Sequence, residues 1–308
     1  VGGPRSRGII PALMEGEETV HTLDAKLVRE DGIDRTGLRL HYQRRSVDRQ
    51  HVVERAAAQP NANRYTTQGE KSTDDLFSVS GFSRTEIGEN LLGSIGFLFT
   101  RLDGDLTGSR IFGSAPEAAY DLDFAALQFE DRGFLDLENT RKMNQWVFNG
   151  NIVYTPSETM RWMSGVRVER LTTEAFSSYI DTYSTVDWAA LEFQREEAAM
   201  LANSEKSALD ISAFIEARYS GLKHMLLYTR VEASTQGGDL KEDWSREELS
   251  PDARTPVELL DRVTDFDREV AFWEVGMNYY PLARMKISLQ GYLKYRENGY
   301  DWGGVALP

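Results

Sequence analysis

The chain alternates between greasy and polar residues over long stretches. In "WEVGMNYYPLARMKISLQGYLKYREN", Met285, Ile287, Leu289, Leu293 and Tyr295 share one parity with Gly291. Arg284, Lys286, Ser288, Gln290, Lys294 and Arg296 share the other, with Tyr292 as its one large ring. A period of two predicts a strand whose successive side chains point to opposite faces. The same pattern recurs upstream. Leu23, Ala25 and Leu27 keep step, as do Leu38, Leu40 and Tyr42, then Phe77, Val79 and Gly81, then Ile95, Phe97 and Phe99. Trp146, Phe148, Ile152 and Tyr154 lead through "TPSET" to Trp162, Val166 and Val168. Leu209, Ile211, Ile215 and Tyr219 lead through "SGLK" to Leu227, Val231 and Ala233.

These runs predict five antiparallel hairpins, at 19–48, 76–102, 145–170, 208–234 and 269–296, with tight turns near 33, 88, 157, 221 and 282. Between hairpins lie long polar stretches, 49–74, 103–143, 172–206 and 235–268, which read as loops. Short turns thus alternate with long connections. Compact domains seldom carry several long loops, whereas membrane barrels have short turns on one side and long loops on the other. The strands are expected to run about 10 to 14 residues, enough to span a bilayer at a tilt. Tyr154, Trp162, Tyr219, Tyr279 and Tyr295 sit near the ends of the greasy stripes, where interfacial rings belong.

Composition narrows the choice. The chain has 308 residues, 41% hydrophobic content, 9 prolines and a formal net charge of −14. No run approaches the ~18 apolar residues of a spanning helix. The negative charge argues against a nucleic-acid partner. There is no cysteine, so thiol chemistry, disulfides and cysteine-ligated metals are excluded. The expected fold is all-β, an antiparallel transmembrane β-barrel or part of a larger one, with short periplasmic turns and long extracellular loops. Residues 1–18 read as an N-terminal segment, 19–296 as the barrel region and 297–308 as a tail or the start of a further loop. A soluble or surface-layer β protein is the alternative, because alternation alone also describes a sheet with a core on one side and water on the other.

Three hairpins, "NQWVFNGNIVYTPSETMRWMSGVRVER", "LDISAFIEARYSGLKHMLLYTRVEAS" and "FWEVGMNYYPLARMKISLQGYLKYRENGYDW", resemble those of large β-barrels of the Gram-negative outer membrane. A tyrosine or proline before a short polar turn, followed by a basic strand, is similar to the barrels that sheath multihaem cytochromes in electron-conduit complexes (the MtrB/PioB type). The resemblance implies a bacterial outer-membrane location, contact with membrane lipid, and a pore or a sheath around another envelope protein. The ends "VGG" and "GGVALP" suggest a piece of a longer chain or a missing end strand. A complete barrel of ten or twelve strands with a frayed tail is the alternative.

On this reading Ile152, Val166, Ile211, Ile215, Leu227, Val275, Ile287 and Leu289 face lipid. The opposite parity lines a lumen of mixed sign, formed by Arg161, Arg167, Glu169, Asp210, Glu216, Arg218, Arg230, Glu232, Glu274, Arg284, Lys286, Gln290 and Lys294. Small residues on that parity, such as Asn149, Asn151, Ser212, Gly276, Asn278 and Ser288, suggest a wide interior with more than the ten strands counted, the others coming from further sequence or another barrel subunit.

Other chemistry is sparse, and no enzyme is expected. No phosphate-cradling glycine loop, nucleophile elbow or zincin helix is present. His21, His41, His51 and His224 share no metal-like spacing; His21 and His41 could be neighbours across the first hairpin, but surface or lumen histidine is the plainer reading. In "DLDFAALQFEDRGFLDLEN", Asp121, Asp123, Glu130, Asp131 and Asp136 supply the oxygen ligands that calcium takes. The EF-hand spacing is missing, so a solvated acidic loop is the plainer reading, and no other cofactor is expected. Two stretches carry helix signals: Asp187 as a cap before "WAALEFQREEAAMLANSEKS", and Thr255 with Pro256 opening "RTPVELLDRVTDF". The functional classes left are a pore or sheath wall and, as the alternative, a structural or adhesive envelope protein whose loops bind partners.

Overall fold

The computed structural model describes residues 12–54, 65–113, 132–187, 192–249, 258–282 and 284–307. Ten strands follow one another: β1 Ala12–Asp31, β2 Asp34–Glu54, β3 Tyr65–Gly88, β4 Leu91–Gly113, β5 Arg132–Ser157, β6 Met160–Asp187, β7 Glu192–Tyr219, β8 Met225–Glu248, β9 Glu258–Leu282 and β10 Met285–Leu307. Each pairs antiparallel with the next, giving one ten-stranded meander in the order β1 to β10. The fold is the expected all-β barrel wall. It is not closed: among the described residues no pairing joins β1 to β10.

All five expected hairpins form, and their turns gather at one end of the sheet. Asp31 pairs with Asp34 around a two-residue turn. Gly32 takes φ 60° there, a left-handed conformation in which a glycine carries no Cβ penalty. Asn90 and His224 take φ 64° and 62° at two further turns.

The strands are longer than the alternation indicated, from 20 residues in β1 to 28 in β6 and β7. Most of 49–74, 103–143, 172–206 and 235–268 is therefore strand and not loop. The connections 55–64, 114–131, 188–191 and 250–257 lie outside the described residues. Strand structure also enters the segments set apart at either end, since β1 begins at Ala12 and β10 runs to Leu307. The helix signals lose to pairing. Residues 192–207 lie in β7, with Glu192 opposite Asp187 and Leu201 opposite Ser178. Glu258–Phe266 opens β9 and pairs with both β8 and β10. Local propensity yields because ladders on both sides take up the backbone groups from Ala198 and from Leu259 onward, and β6 holds residues 192–197 on one side.

The register sorts the sheet into two faces. Ile152, Ser164, Ile215, Val231, Trp273 and Leu293 stand opposite one another from β5 to β10, on the apolar face. Met163, Glu216, Arg230, Glu274 and Tyr292 do the same on the charged face. The polarity is inverted relative to a soluble sheet. Leu27, Ile215 and Leu289 on the apolar face are 73%, 58% and 67% exposed, while Val47, Val147, Met200, Ala208 and Glu216 on the charged face are buried.

The apolar face is also bounded. Tyr42 is followed at the next outward step by Arg44, Phe77 by Asp75, Phe99 by Arg101, Val168 by Arg170 and Tyr295 by Glu297. On β7 the greasy run from Leu209 to Tyr219 is about 33 Å along the strand, or about 25 Å along the membrane normal at a tilt near 40°, which matches an outer-membrane apolar band. Rings pack along its upper border: Phe77 meets Phe99 edge-on at 6.4 Å, and Phe99 meets Trp146 at 4.3 Å. Beyond this band the strands continue with polar residues on the outer parity, so the wall stands well above it.

Two adjacent glycines offer a test of strand packing. A methyl on Gly238 would fall on the carbonyl oxygen of Ser207 and on the Cα of Ala208, whereas one on Gly237 would meet only the Phe266 carbonyl oxygen at 3.9 Å. In folding titrations into lipid vesicles, Gly238→Ala should lose about 1–3 kcal/mol. Gly237→Ala should be neutral or gain up to about 0.5–1 kcal/mol from reduced backbone entropy. Equal effects would refute this packing.

Candidate functional site

The charged face carries the side chains with chemistry, and period-two geometry brings them together. On β6 the Arg167 guanidinium donates to Glu169 at 2.6 Å, and Gln145 of β5 donates to the other oxygen of the same carboxylate at 2.6 Å. Glu216 on β7, only 6% exposed, is held between Arg218 and Arg230, the latter at 3.8 Å. Arg230 turns to Glu232 at 2.7 Å and lies over the Phe214 ring at 4.5 Å. A carboxylate this buried needs such partners, because desolvation penalises an unpaired charge by several kcal/mol.

The remaining residues expected on this wall also take places on it. Arg161 stands opposite Arg218, and Asp210 opposite both Glu169 and Gln236. Glu274 stands opposite Arg230 and Tyr292, Gln290 opposite Gly276, and Lys294 opposite Phe272. Lys286 falls in the irregular register between Met285 and Ile287, and Arg284 sits in the turn before β10. The eight residues expected to face lipid lie on the apolar face: Leu227 pairs with Tyr219 and Met277, and Leu289 with Met277.

The sequence left out an equivalent set on the N-terminal strands. Arg39 Nε donates to Asp24 at 2.9 Å, Arg45 to Glu18 at 2.8 Å, and Arg49 lies 3.8 Å from both Glu18 and Glu70. Arg141 of β5 reaches Asp74 of β3 at 2.7 Å, two strands away. It can do so because the residue between them is Gly104, whose missing side chain leaves the path open. The alternation of Asp24, Arg39 and Arg45 with apolar residues was visible, but the pairing across Gly104 requires the register. Higher on the wall, Arg262 pairs with Glu242.

The histidines separate. His21 stands opposite Arg44 and His41 opposite Asp24, so the two occupy opposite faces and are not neighbours. His41 Nδ1 lies 3.2 Å from the Asp24 carboxylate. Among the calcium candidates, Asp121, Asp123, Glu130 and Asp131 lie outside the described residues. Asp136 sits in an irregular stretch of β5 with φ 50°. Among the described residues no group of three or more His, Asp or Glu is placed to hold a metal ion. Above the apolar band on the outer side, Arg101 donates to Asp103 at 2.7 Å and holds that carboxyl below the usual carboxylate range.

No known family model matches the sequence, and no curated protein does. Among solved structures, the chain is similar to the ferric yersiniabactin uptake receptor FyuA from Yersinia pestis, at 8% identity and a TM-score of 0.36, covering 95% of this chain and 55% of that one. It is also similar to the ferric citrate transporter FecA in its unliganded form, at 11% identity and a TM-score of 0.35, covering 93% and 62%. A FadL homologue of Pseudomonas aeruginosa follows at 8% identity and a TM-score of 0.20, covering 88% and 79%. All three are outer-membrane β-barrel proteins. The chain spans little more than half the length of the first two.

The two faces make opposite demands on a new charge. Ile215→Arg places a guanidinium in the middle of the apolar band and should cost about 2–4 kcal/mol in vesicle folding titrations. Ser234→Arg, on the charged face between Ser212 and Val270, should cost far less. A larger penalty at Ser234 would reverse the assignment of the faces.

Proposed function

We propose that this chain forms part of the wall of a β-barrel in a bacterial outer membrane and encloses a polar passage, either open to solutes or filled by a partner protein. The observation that carries the reading is the inverted polarity of the sheet. Its exposed face is a band of Leu, Ile, Phe and Trp about as tall as a bilayer core, and its enclosed face is a network of arginine–carboxylate pairs. In water that arrangement is unfavourable, because burial of apolar surface is what drives folding. In a bilayer it is the arrangement required.

On this reading Arg161, Arg167, Glu169, Asp210, Glu216, Arg218, Arg230, Glu232, Glu274, Arg284, Lys286, Gln290 and Lys294 line the passage. Most of its carboxylates are engaged by guanidinium groups, so the wall offers polarity without a strong fixed field and supports weak ion selectivity. The likeness of the tyrosine- and proline-flanked turns to cytochrome-sheathing barrels supports the filled form of the same wall.

The test is conductance. Purified protein in planar bilayers should pass ions with little selectivity if the passage is open. If a partner fills it, current should appear only once that partner is stripped away. A folded, heat-modifiable protein that never conducts and never co-purifies with a partner would overturn the passage and favour an envelope protein working through its loops.

A further inference from the structure

One side of β10 reads Tyr292, Lys294, Arg296, Asn298, Tyr300, Trp302 in steps of two, all on the charged face. Opposite them on β9 stand Glu274, Phe272, Val270, Arg268, Phe266 and Thr264. Lys294 and Arg296 are successive residues on one face, and Arg296 is diagonal to Arg268, so the three form a row in which each backbone position lies about 7–8 Å from the next, with Lys294 and Arg268 about 14 Å apart. Arg296 donates to the Asn298 side chain at 3.0 Å. Among the described residues, no carboxylate pairs with Lys294, Arg296 or Arg268. Glu232, on the same face, is engaged by Arg230 at 2.7 Å, and Glu274 stands opposite Arg230 and Tyr292, two residues along the ladder from Lys294. The row therefore differs from Arg167, Arg218 and Arg230, each of which is matched to an acid. Neighbouring like charges are destabilising, and an anion is what relieves them.

Rings flank the trio on both sides. Towards the turns, Phe272 and Tyr292 lie 5.9 Å apart with their planes tilted by 31°. Towards the loops, Tyr300 and Trp302 are 71% and 70% exposed, and Tyr292 is 67% exposed. From Tyr292 to Trp302 the ladder runs about 33 Å along the strand. Guanidinium and ammonium groups take an acidic group by charge-assisted hydrogen bonds, and exposed rings offer flat apolar faces for a ring of the ligand. Asn298 adds a donor and an acceptor between them.

We propose that this face of β9 and β10 binds ring-bearing organic anions and guides them from the loop-side mouth into the passage. The proposal builds on the reading of the charged face as the passage wall. Its test is direct binding, which does not depend on conductance. The full chain, folded in detergent micelles, is titrated calorimetrically at low salt with benzoate, glucuronate and acetate. Benzoate or glucuronate should bind, and whichever does assigns the ring as aromatic or sugar. Acetate, which has no ring, should bind at least about tenfold more weakly. The double variant Lys294→Gln, Arg296→Gln should lose at least about tenfold for the bound acid. Tyr300→Ser with Trp302→Ser should remove the preference over acetate. Absence of binding by both ring acids, acetate binding as tightly as they do, or unchanged binding by the Lys294/Arg296 variant of proven fold would each overturn the site. Conductance without binding overturns this site and leaves the passage standing. Binding without conductance in any state does the reverse.

Discussion

Cross-strand register is the constraint on which everything else in this molecule depends. Side chains alternate with a period of two, so a slip of one residue in any pairing would carry that strand's apolar set to the charged face and its arginines to the apolar one. Nine successive pairings hold the parity from β1 to β10, with register shifts only at Glu86/Gly88, Gly108/Arg110, Leu135/Glu138, Tyr154/Ser157 and Met285/Ile287. Three of the five lie beside the tight turns. The two others lie in the upper wall, near the small apolar cluster of Ile111, Leu135 and Ile180. Within the apolar band the register is unbroken, and that is where a slip would be most costly, because a displaced charge would enter hydrocarbon.

Glycine is what lets one ladder of side chains communicate with the next. Gly104 opens the path from Arg141 to Asp74, the Tyr228 ring covers Gly276, and the Phe97 ring covers Gly81 on the apolar side. Each case replaces a local side chain with one from a neighbouring strand, which ties strands together across the sheet. The ion pairs of the charged face are mostly half exposed, and exposed pairs contribute about 0–1 kcal/mol each. They set the polarity of the face more than they stabilise the fold. Glu216 differs, because its burial makes both arginines beside it necessary.

The hairpins, their turns and the two faces were legible in the sequence because alternation with Leu, Ile, Val and aromatic residues on one parity is strong from Leu209 to Tyr219 and from Ile287 to Tyr295. The upper half of the strands was not. From Glu192 to Ser207 and from Glu258 to Glu269 apolar and polar residues are mixed on both parities, with Met200 beside Leu201 and Leu259 beside Leu260, so no period of two marks a strand, and Ala, Glu and Leu there carry helix propensity. Pairing to neighbours already set in register decides those segments. The wall residues of β6–β10 could be named because charge alternates plainly with apolar residues there. The pairs Glu18–Arg45 and Asp74–Arg141 were missed for the converse reason: they join residues whose nearness appears only once β1, β2, β3 and β5 are placed side by side.

The sheet edges follow from the same physics. On β1 and β10 the band residues Leu23, Leu27, Leu289 and Leu293 are among the most exposed side chains, at 66–73%, and each of these strands has one ladder partner. Water satisfies a free edge at the height of the polar upper wall. It cannot do so across the apolar band, where an unpaired peptide group costs several kcal/mol. A wall of this length in a bilayer therefore requires a strand against each edge between Leu23 and Leu27 and between Leu289 and Tyr295. The alternation on both edge strands already supplies what such a neighbour must match: an apolar parity in register with Leu27 and Leu293, and a polar one in register with Lys26 and Lys294.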